Sequence, residues 1–76
     1  MNHLLNKKVL VFCTNYFYYG ELIRVGTDLL ILKNCYQVFE TGKYDGGKFK
    51  DAQFLSAQWG IKLSSIESIG LSPKSV

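Results

Sequence analysis

The chain has 76 residues, which is enough for one domain and too few for a second. Nine basic residues against six acidic ones give a formal charge of +3, which leans toward polyanionic partners without requiring them. A domain of this size buries only about 60% of the surface that its unfolded chain exposes, so a disulfide, a metal or oligomerisation usually stabilises it.

The first two of these stabilising devices have little support in the sequence. Cys13 and Cys35 do not form a CxxC motif, and the single histidine, His3, lies in the N-terminal segment, so we expect no metal and no cofactor. Neither a signal-peptide pattern nor an apolar run of about 20 residues is present. We therefore expect buried thiols in a reducing cytoplasm, no membrane contact, and stabilisation by oligomerisation.

The first elements are a short helix and a strand. Asn2 can cap one or two helical turns within residues 1–7. The segment KKVLVFCT, residues 7–14, predicts the first strand, and alternation makes both of its faces apolar. A strand with two apolar faces is covered on both sides of its sheet, so we expect packing on both faces here.

The next two strands follow from aromatic and β-branched residues. Residues 16–25, YFYYGELIRV, predict the second strand, in whose interior Gly20 marks a bend or a close backbone approach. Turn residues at 25–28 lead into the third strand, LLILKNCYQVFE, at 29–40. The glycine-rich segment TGKYDGGK, residues 41–48, predicts a hairpin tip.

The last part of the chain predicts two more strands. Residues 49–63 predict the fourth strand, with a break near Ser56, and residues 64–71 predict a short turn and the fifth strand. Residues 72–76 are a polar tail. Five strands with short turns and one bend predict a mainly β protein: a small, five-stranded, strongly bent barrel with a short N-terminal helix, forming a single domain over residues 1–76.

This order of elements resembles the Sm-like superfamily, including its Hfq branch. The motifs that carry the resemblance are VLVF at 9–12, then Asn15, GELI at 20–23, LLILKN at 29–34 and IESI at 66–69. A second alignment places Trp59 and Gly60 under the basic residue and glycine of the second Sm motif. The resemblance spans residues 4–71. It implies an Sm-like barrel that forms a homo-oligomeric ring of about five to seven subunits and binds single-stranded RNA.

The sequence departs from the family pattern at the RNA-reading positions. The acidic residue of the turn is Asp28, two positions later than in the family, and Leu29 lies near the place of the base-reading asparagine. The Tyr-Lys-His run of the Hfq branch retains only Lys62, and Trp59 replaces the basic residue of the second motif. A divergent member, such as one carried by a phage, would show these departures, and so would a domain that kept the barrel and lost the RNA site.

The resemblance implies an RNA site at the central pore of the ring. Its residues here are Thr27, Asp28, Trp59, Gly60 and Lys62. Lys62 would contact a phosphate, Trp59 could stack on a base, and Thr27 or Asp28 could form hydrogen bonds with base edges. Each residue also has an ordinary structural explanation, as a solvated lysine, a core tryptophan or a plain turn.

Two further clusters have competing explanations. The consecutive aromatics Tyr16–Tyr19 could form a platform for unpaired bases, but alternation also predicts that two of the four fill the core. Near the hairpin tip, Lys43, Lys48 and Lys50 are interspersed with Asp45 and Asp51. This mixture of charges is typical of a solvated loop rather than a phosphate-binding site.

The predicted edge strands favour self-association. Unpaired strand edges associate with other chains unless prolines or charges discourage it. The segments SSIESIG and AQFLSAQWG contain no proline, and Glu67 is their only charged residue. Each apolar side chain buried between subunits contributes about 1.5–3 kcal/mol. The alternative is a monomer whose loops protect the edges.

Catalytic chemistry is not expected, because no serine or cysteine has an evident base and the carboxylates are scattered. The first hypothesis is therefore a non-enzymatic, RNA-binding Sm-like ring with no small-molecule substrate. The second is a structural or adaptor module of the same architecture that contacts only protein. The positive charge and the aromatics favour the first, and the missing base-reading residues favour the second.

Overall fold

Alternating apolar residues and short turns produce an antiparallel sheet. A computed structural model describes residues 2–42 and 47–76 of the chain. Its strands are β1 Lys8–Cys13, β2 Phe17–Val25, β3 Leu29–Glu40, β4 Asp51–Lys62 and β5 Ile66–Leu71. In this part of the chain the five strands form one sheet in the order β4-β3-β2-β1-β5, and the protein is mainly β as predicted.

All five predicted segments contain the observed strands, and β3 has the predicted bounds. The N-terminal helix is a 3-10 helix of three residues, Asn2–Leu4. The predicted break near Ser56 is wrong, because β4 is continuous. Tyr36 pairs with Phe54 and Cys35 with Ser56, so Leu55 is an extra residue that bulges from the strand.

Both faces of β1 are covered, which confirms the expectation from its two apolar faces. On one face lies a cluster that we call the aliphatic cluster. Its buried members are Leu4, Val9, Val11, Cys13, Leu22, Leu30, Leu32, Cys35 and Ile61. Ile69 of β5 packs against it, so residues of both edge strands contact this cluster and the sheet curves around it.

On the other face of β1 lies a second cluster, which we call the aromatic cluster. Its buried members are Leu10, Tyr19, Val38 and Phe49, and Phe12, Phe17, Tyr36 and Ala52 pack against them. The rings of Tyr19 and Phe49 meet edge to face with their centroids 5.2 Å apart. This cluster combines residues of β1, β2 and β3 with Phe49, which precedes β4.

Gly20 allows β2 to approach β3 closely, as its interior position predicts. A Cβ atom at Gly20 would lie 3.1 Å from the carbonyl oxygen of Lys33 and 3.1 Å from the Cβ atom of Leu32. The register shifts between Tyr19 and Glu21 at this point, and Asn34 on the facing strand has a φ of 52°. Irregular pairing of this kind bends a strand and increases its twist.

The C-terminal segment 72–76 is polar, as expected, and it also pairs with the chain after the hairpin tip. The Ser75 amide donates to the carbonyl oxygen of Gly47 at 2.8 Å, and the Phe49 amide donates to that of Ser75 at 2.9 Å. Phe49 belongs to the aromatic cluster. The C-terminal segment therefore helps to hold one wall of that cluster in place.

Cys13 and Cys35 are free and buried, which confirms the prediction of buried thiols. Burial raises the pKa of Cys35 from 9.0 to about 12, so this thiol stays protonated at neutral pH.

Across residues 2–42 and 47–76, no helix has the length and apolar character needed to cross a bilayer.

Candidate nucleic-acid interface

The turn between β2 and β3 lies directly beside the end of β4. The Gly26 amide donates to the carbonyl oxygen of Leu29 at 2.8 Å and closes the turn. Leu29 pairs with Lys62 across the β3–β4 ladder, and the Leu63 amide donates to the carbonyl oxygen of Asp28 at 2.9 Å. These backbone bonds hold Lys62 next to the turn.

The first of two neighbouring pockets lies at this junction. We call it the turn pocket, an open depression of about 470 Å³. It is lined by Thr27, Asp28, Lys62, Leu63 and Ser64. Three of the five predicted site residues therefore line one depression, where a cation, a carboxylate and hydroxyl groups are close together.

The second pocket has a volume of about 330 Å³ and is called the aromatic pocket. Its lining includes Asn15, Tyr16, Tyr18, Trp59, Gly60 and Lys62. Its wall combines the β1–β2 turn with the last residues of β4. Lys62 lines both pockets, so the structure brings all five predicted site residues to one continuous surface.

The aromatic run Tyr16–Tyr19 divides between the core and this surface. Phe17 and Tyr19 pack in the aromatic cluster, and Tyr18 packs against the aliphatic cluster, so three of the four aromatics contact the core where alternation predicts two. Tyr16 and Tyr18 line the aromatic pocket, and their ring centroids lie 6.4 Å apart. Tyr16 is 52% exposed and Trp59 is 37% exposed, so both rings offer accessible π surface.

The electrostatics of the two pockets are simple. Among the described residues that line them, Lys62 is the only cation and Asp28 the only carboxylate. Arg24 lines a further depression that also includes Thr27 and Asp28, so a second cation lies near the turn. The surface can hold an anion at Lys62 and flat rings beside it.

The Cys13 thiol and the Tyr18 hydroxyl, which line the aromatic pocket, are uncharged at neutral pH. Burial raises the pKa of the Cys13 thiol, a hydrogen bond with Ser65 lowers it, and Glu67 raises it further. Burial also raises the pKa of the Tyr18 hydroxyl, and nearby Cys13 adds to this effect. Because the thiolate is the nucleophilic form of cysteine, Cys13 is a weak nucleophile at neutral pH.

The lysines near the hairpin tip lie elsewhere. Lys43 and Asp45 are outside the described residues. Lys48 and Asp51 are exposed, and Lys50 lies 3.4 Å from a carboxylate oxygen of Glu40 in a solvent-exposed ion pair. The described residues of this cluster fit the solvated loop that the mixed charges predict.

Asn15, Tyr16 and Tyr18 line the same pocket as Lys62, a proximity that the sequence did not predict. Alternation indicates that Tyr16 and Tyr18 share a face, and the short β1–β2 turn places Asn15 near them. What alternation cannot indicate is which distant strand end faces them. Contact with Trp59, Gly60 and Lys62 depends on how the sheet curves.

The chain matches no family model and no curated protein.

Proposed function

We propose that this chain is a divergent, non-enzymatic Sm-like protein that binds single-stranded RNA as a homo-oligomeric ring. In this proposal the sheet closes into a small SH3-like barrel. The observation that carries it is the position of Lys62, which lines both the turn pocket and the aromatic pocket. A cation flanked by accessible aromatic rings is the combination by which proteins hold unpaired nucleic acid.

The proposed contacts divide between backbone and bases. Lys62 neutralises a phosphate, while Trp59 and Tyr16 offer faces on which bases stack, each worth about 1–3 kcal/mol. Thr27 and Asp28 form hydrogen bonds with base edges or the 2′-hydroxyl. Gly60 has no side chain, so the strand surface beside Trp59 stays open. Stacking tolerates every base, and we therefore expect weak sequence preference.

The two edges of the sheet support the proposed ring. In the described residues β4 and β5 each have one neighbouring strand, and neither contains a proline. Such edges carry unpaired backbone donors and acceptors that a second chain can satisfy. Pairing β4 of one copy with β5 of the next is head-to-tail, and this kind of contact closes into a ring when the rotation permits.

The test combines mass with RNA titration. Light scattering gives the native mass, and labelled oligo-U and oligo-A are then titrated at two salt concentrations. We expect a ring that binds both oligomers more weakly at the higher salt. Affinity falls as salt rises, and each phosphate contact that is lost makes the plot of log affinity against log salt concentration less steep by about 0.7.

Lys62→Ala and Lys33→Ala make a matched pair, because both lysines are exposed and only Lys62 of the two lines the turn pocket and the aromatic pocket. We expect Lys62→Ala to weaken RNA binding with an unchanged ring mass, and Lys33→Ala to bind RNA more tightly than Lys62→Ala. Equal affinities for the two variants would remove Lys62 from the site.

The second candidate function is a protein-binding adaptor with the same ring. It is favoured by Leu29 near the place of the family's base-reading residue and by exposed apolar side chains such as Phe54. A ring that binds neither oligo-U nor oligo-A at low salt would support the adaptor. A monomer at all concentrations would contradict both functions.

A further inference from the structure

An apolar groove runs beside β5 on the same face as the aromatic cluster. It has a volume of about 310 Å³, and its lining includes Leu10, Phe12, Ser68, Gly70 and Pro73. Leu10 and Phe12 belong to the aromatic cluster or pack against it, while Ser68 and Gly70 are their register partners on β5. None of the described lining residues is charged. We call this depression the edge groove.

Gly70 keeps the edge groove open, although the single chain does not require a glycine there. A Cβ atom at Gly70 would meet no atom within 4 Å, and its φ is not in the left-handed region. Glycine weakens a strand interior, and one common reason for its presence is the close approach of another group. Within the described residues nothing makes that approach, so the space above Gly70 is available to a partner.

The opposite edge of the sheet has a large side chain at the corresponding position. Phe54 pairs with Tyr36, Tyr36 with Tyr19, Tyr19 with Leu10, and Leu10 with Gly70. Directly paired residues point to the same face of an antiparallel sheet. One transverse row therefore begins with Phe54 on β4 and ends with Gly70 on β5.

Phe54 projects from the β4 edge and is only partly covered by its own chain. Its ring meets Tyr36 edge to face, with the centroids 5.3 Å apart, and 49% of Phe54 remains exposed. An aromatic ring that fills an apolar pocket is a frequent anchor of protein interfaces. The row therefore has a knob at one end and a groove at the other.

We propose that Phe54 of one copy packs into the edge groove over Gly70 of the next copy. This inference rests on the head-to-tail assembly proposed above and adds the side-chain contact that would select it. Both β4 and β5 run antiparallel to the direction of β1, so they point the same way along the sheet. When β4 pairs in parallel with β5 of another copy, the two sheets continue as one, and the faces that carry Phe54 and Gly70 coincide. A second copy supplies the apolar knob beside an edge strand that can pair with β5.

The matched test uses substitutions at three positions that are exposed or unobstructed. Phe54→Ala removes the knob, and Gly70→Val fills the groove with a side chain suited to a strand. Phe39→Ala is the control, because Phe39 is 55% exposed but lies on β3, an interior strand. Circular dichroism checks that each variant is folded, and sedimentation gives its mass across a concentration series.

We expect Phe54→Ala and Gly70→Val each to raise the concentration needed for assembly at least tenfold, with a smaller rise for Gly70→Ala. Phe39→Ala assembles like the unmodified protein. An equimolar mixture of Phe54→Ala and Gly70→Val forms a one-to-one dimer, since only the Phe54 of the second variant and the groove of the first are intact. A mixture that stays monomeric, or grows beyond a dimer, overturns the proposed contact.

The outcomes separate this contact from the proposed function. If the unmodified protein forms a ring and both variants assemble equally well, the knob and groove are wrong while RNA binding by a ring still stands. If the unmodified protein is monomeric at every concentration, the head-to-tail assembly fails and this contact fails with it.

Discussion

The aliphatic and aromatic clusters lie on opposite faces of β1, yet they are sealed to different degrees. The largest fully buried side chains are Val9, Val11, Leu22, Leu30, Leu32 and Cys35, and all of them belong to the aliphatic cluster. In the aromatic cluster the four buried members retain 3–9% exposure. Residues of both edge strands contact the aliphatic cluster, whereas the aromatic cluster depends on Phe49 and on the C-terminal segment that holds it.

Because of this difference, the two proposed binding surfaces depend on different sides of the sheet. The aromatic pocket includes Ile61 and Cys13 of the aliphatic cluster, so its shape depends on the sealed side of the sheet. The edge groove lies over Leu10 and Phe12 on the less sealed side. RNA binding and subunit contact, as proposed, can therefore be disrupted independently.

The largest effect is expected from a cavity in the aliphatic cluster. Leu32 is fully buried, so Leu32→Ala should lower the free energy of unfolding by about 2–5 kcal/mol, through lost burial and the cavity left behind. Urea denaturation followed by circular dichroism measures it. The matched change Leu71→Ala, at a residue 61% exposed, should cost far less, and equal losses would contradict the sealed character of this cluster.

The second effect concerns the bend in β2. Gly20→Ala places a Cβ atom 3.1 Å from the Lys33 carbonyl oxygen, so backbone must move, and we expect a loss of about 1–3 kcal/mol. Gly60→Ala is the control, since its added Cβ meets only ordinary contacts at 3.9 Å. Thermal and urea unfolding of the two variants measure the difference. Equal stability would show that β2 tolerates a side chain at the bend.

The third effect is expected from removing part of the C-terminal segment, which supports the aromatic cluster but not the aliphatic one. Deleting residues 74–76 removes the two backbone hydrogen bonds that link Ser75 to Gly47 and Phe49. We expect a loss of about 1–2 kcal/mol and a weaker near-ultraviolet circular dichroism signal from the aromatic rings. The far-ultraviolet signal of the strands should stay unchanged. An unaltered aromatic signal would mean that the C-terminal segment does not support this cluster.

The smallest effect is a dependence of stability on alkaline pH. Burial raises the pKa of Cys35 from 9.0 to about 12, so the folded protein keeps a proton that the unfolded chain releases. The stabilisation is complete below pH 9 and is lost as pH rises from 9 to 12; at pH 10 the loss is about 1 kcal/mol.

Urea denaturation at pH 8, 9 and 10 measures this loss. Cys35→Val is the control because it removes the titrating thiol, and its stability should fall less steeply with pH. Burial also raises the pKa values of Cys13 and Tyr19, so these two groups contribute equally to the pH dependence of the unfolding free energy in both proteins. Identical slopes would mean that Cys35 ionises equally in the folded and unfolded states.

Local pattern explains why much of the fold could be predicted. The two apolar faces of β1, the bounds of β3 and the close approach at Gly20 follow from alternation and from the conformational range of glycine. The bulge at Leu55 could not be predicted in the same way. It depends on how β4 matches an irregular β3 near Asn34, whose φ is positive.

The residues of the candidate site could be predicted only in part. Thr27, Asp28 and Lys62 were proposed from a resemblance, and the backbone bond between Leu63 and Asp28 brings their segments together. Tyr16 and Tyr18 lie far from Trp59 in sequence, and only the curvature of the sheet joins them in one pocket.

By itself, the amino-acid sequence determined the number of strands, their alternation and the two buried thiols, because each strand is encoded by neighbouring residues. The tertiary structure alone decided the register that places side chains in one row from Phe54 to Gly70, and the contact of Tyr16 and Tyr18 with the end of β4. The reason is physical: register and curvature arise from the pairing of distant segments, and no local pattern contains that information.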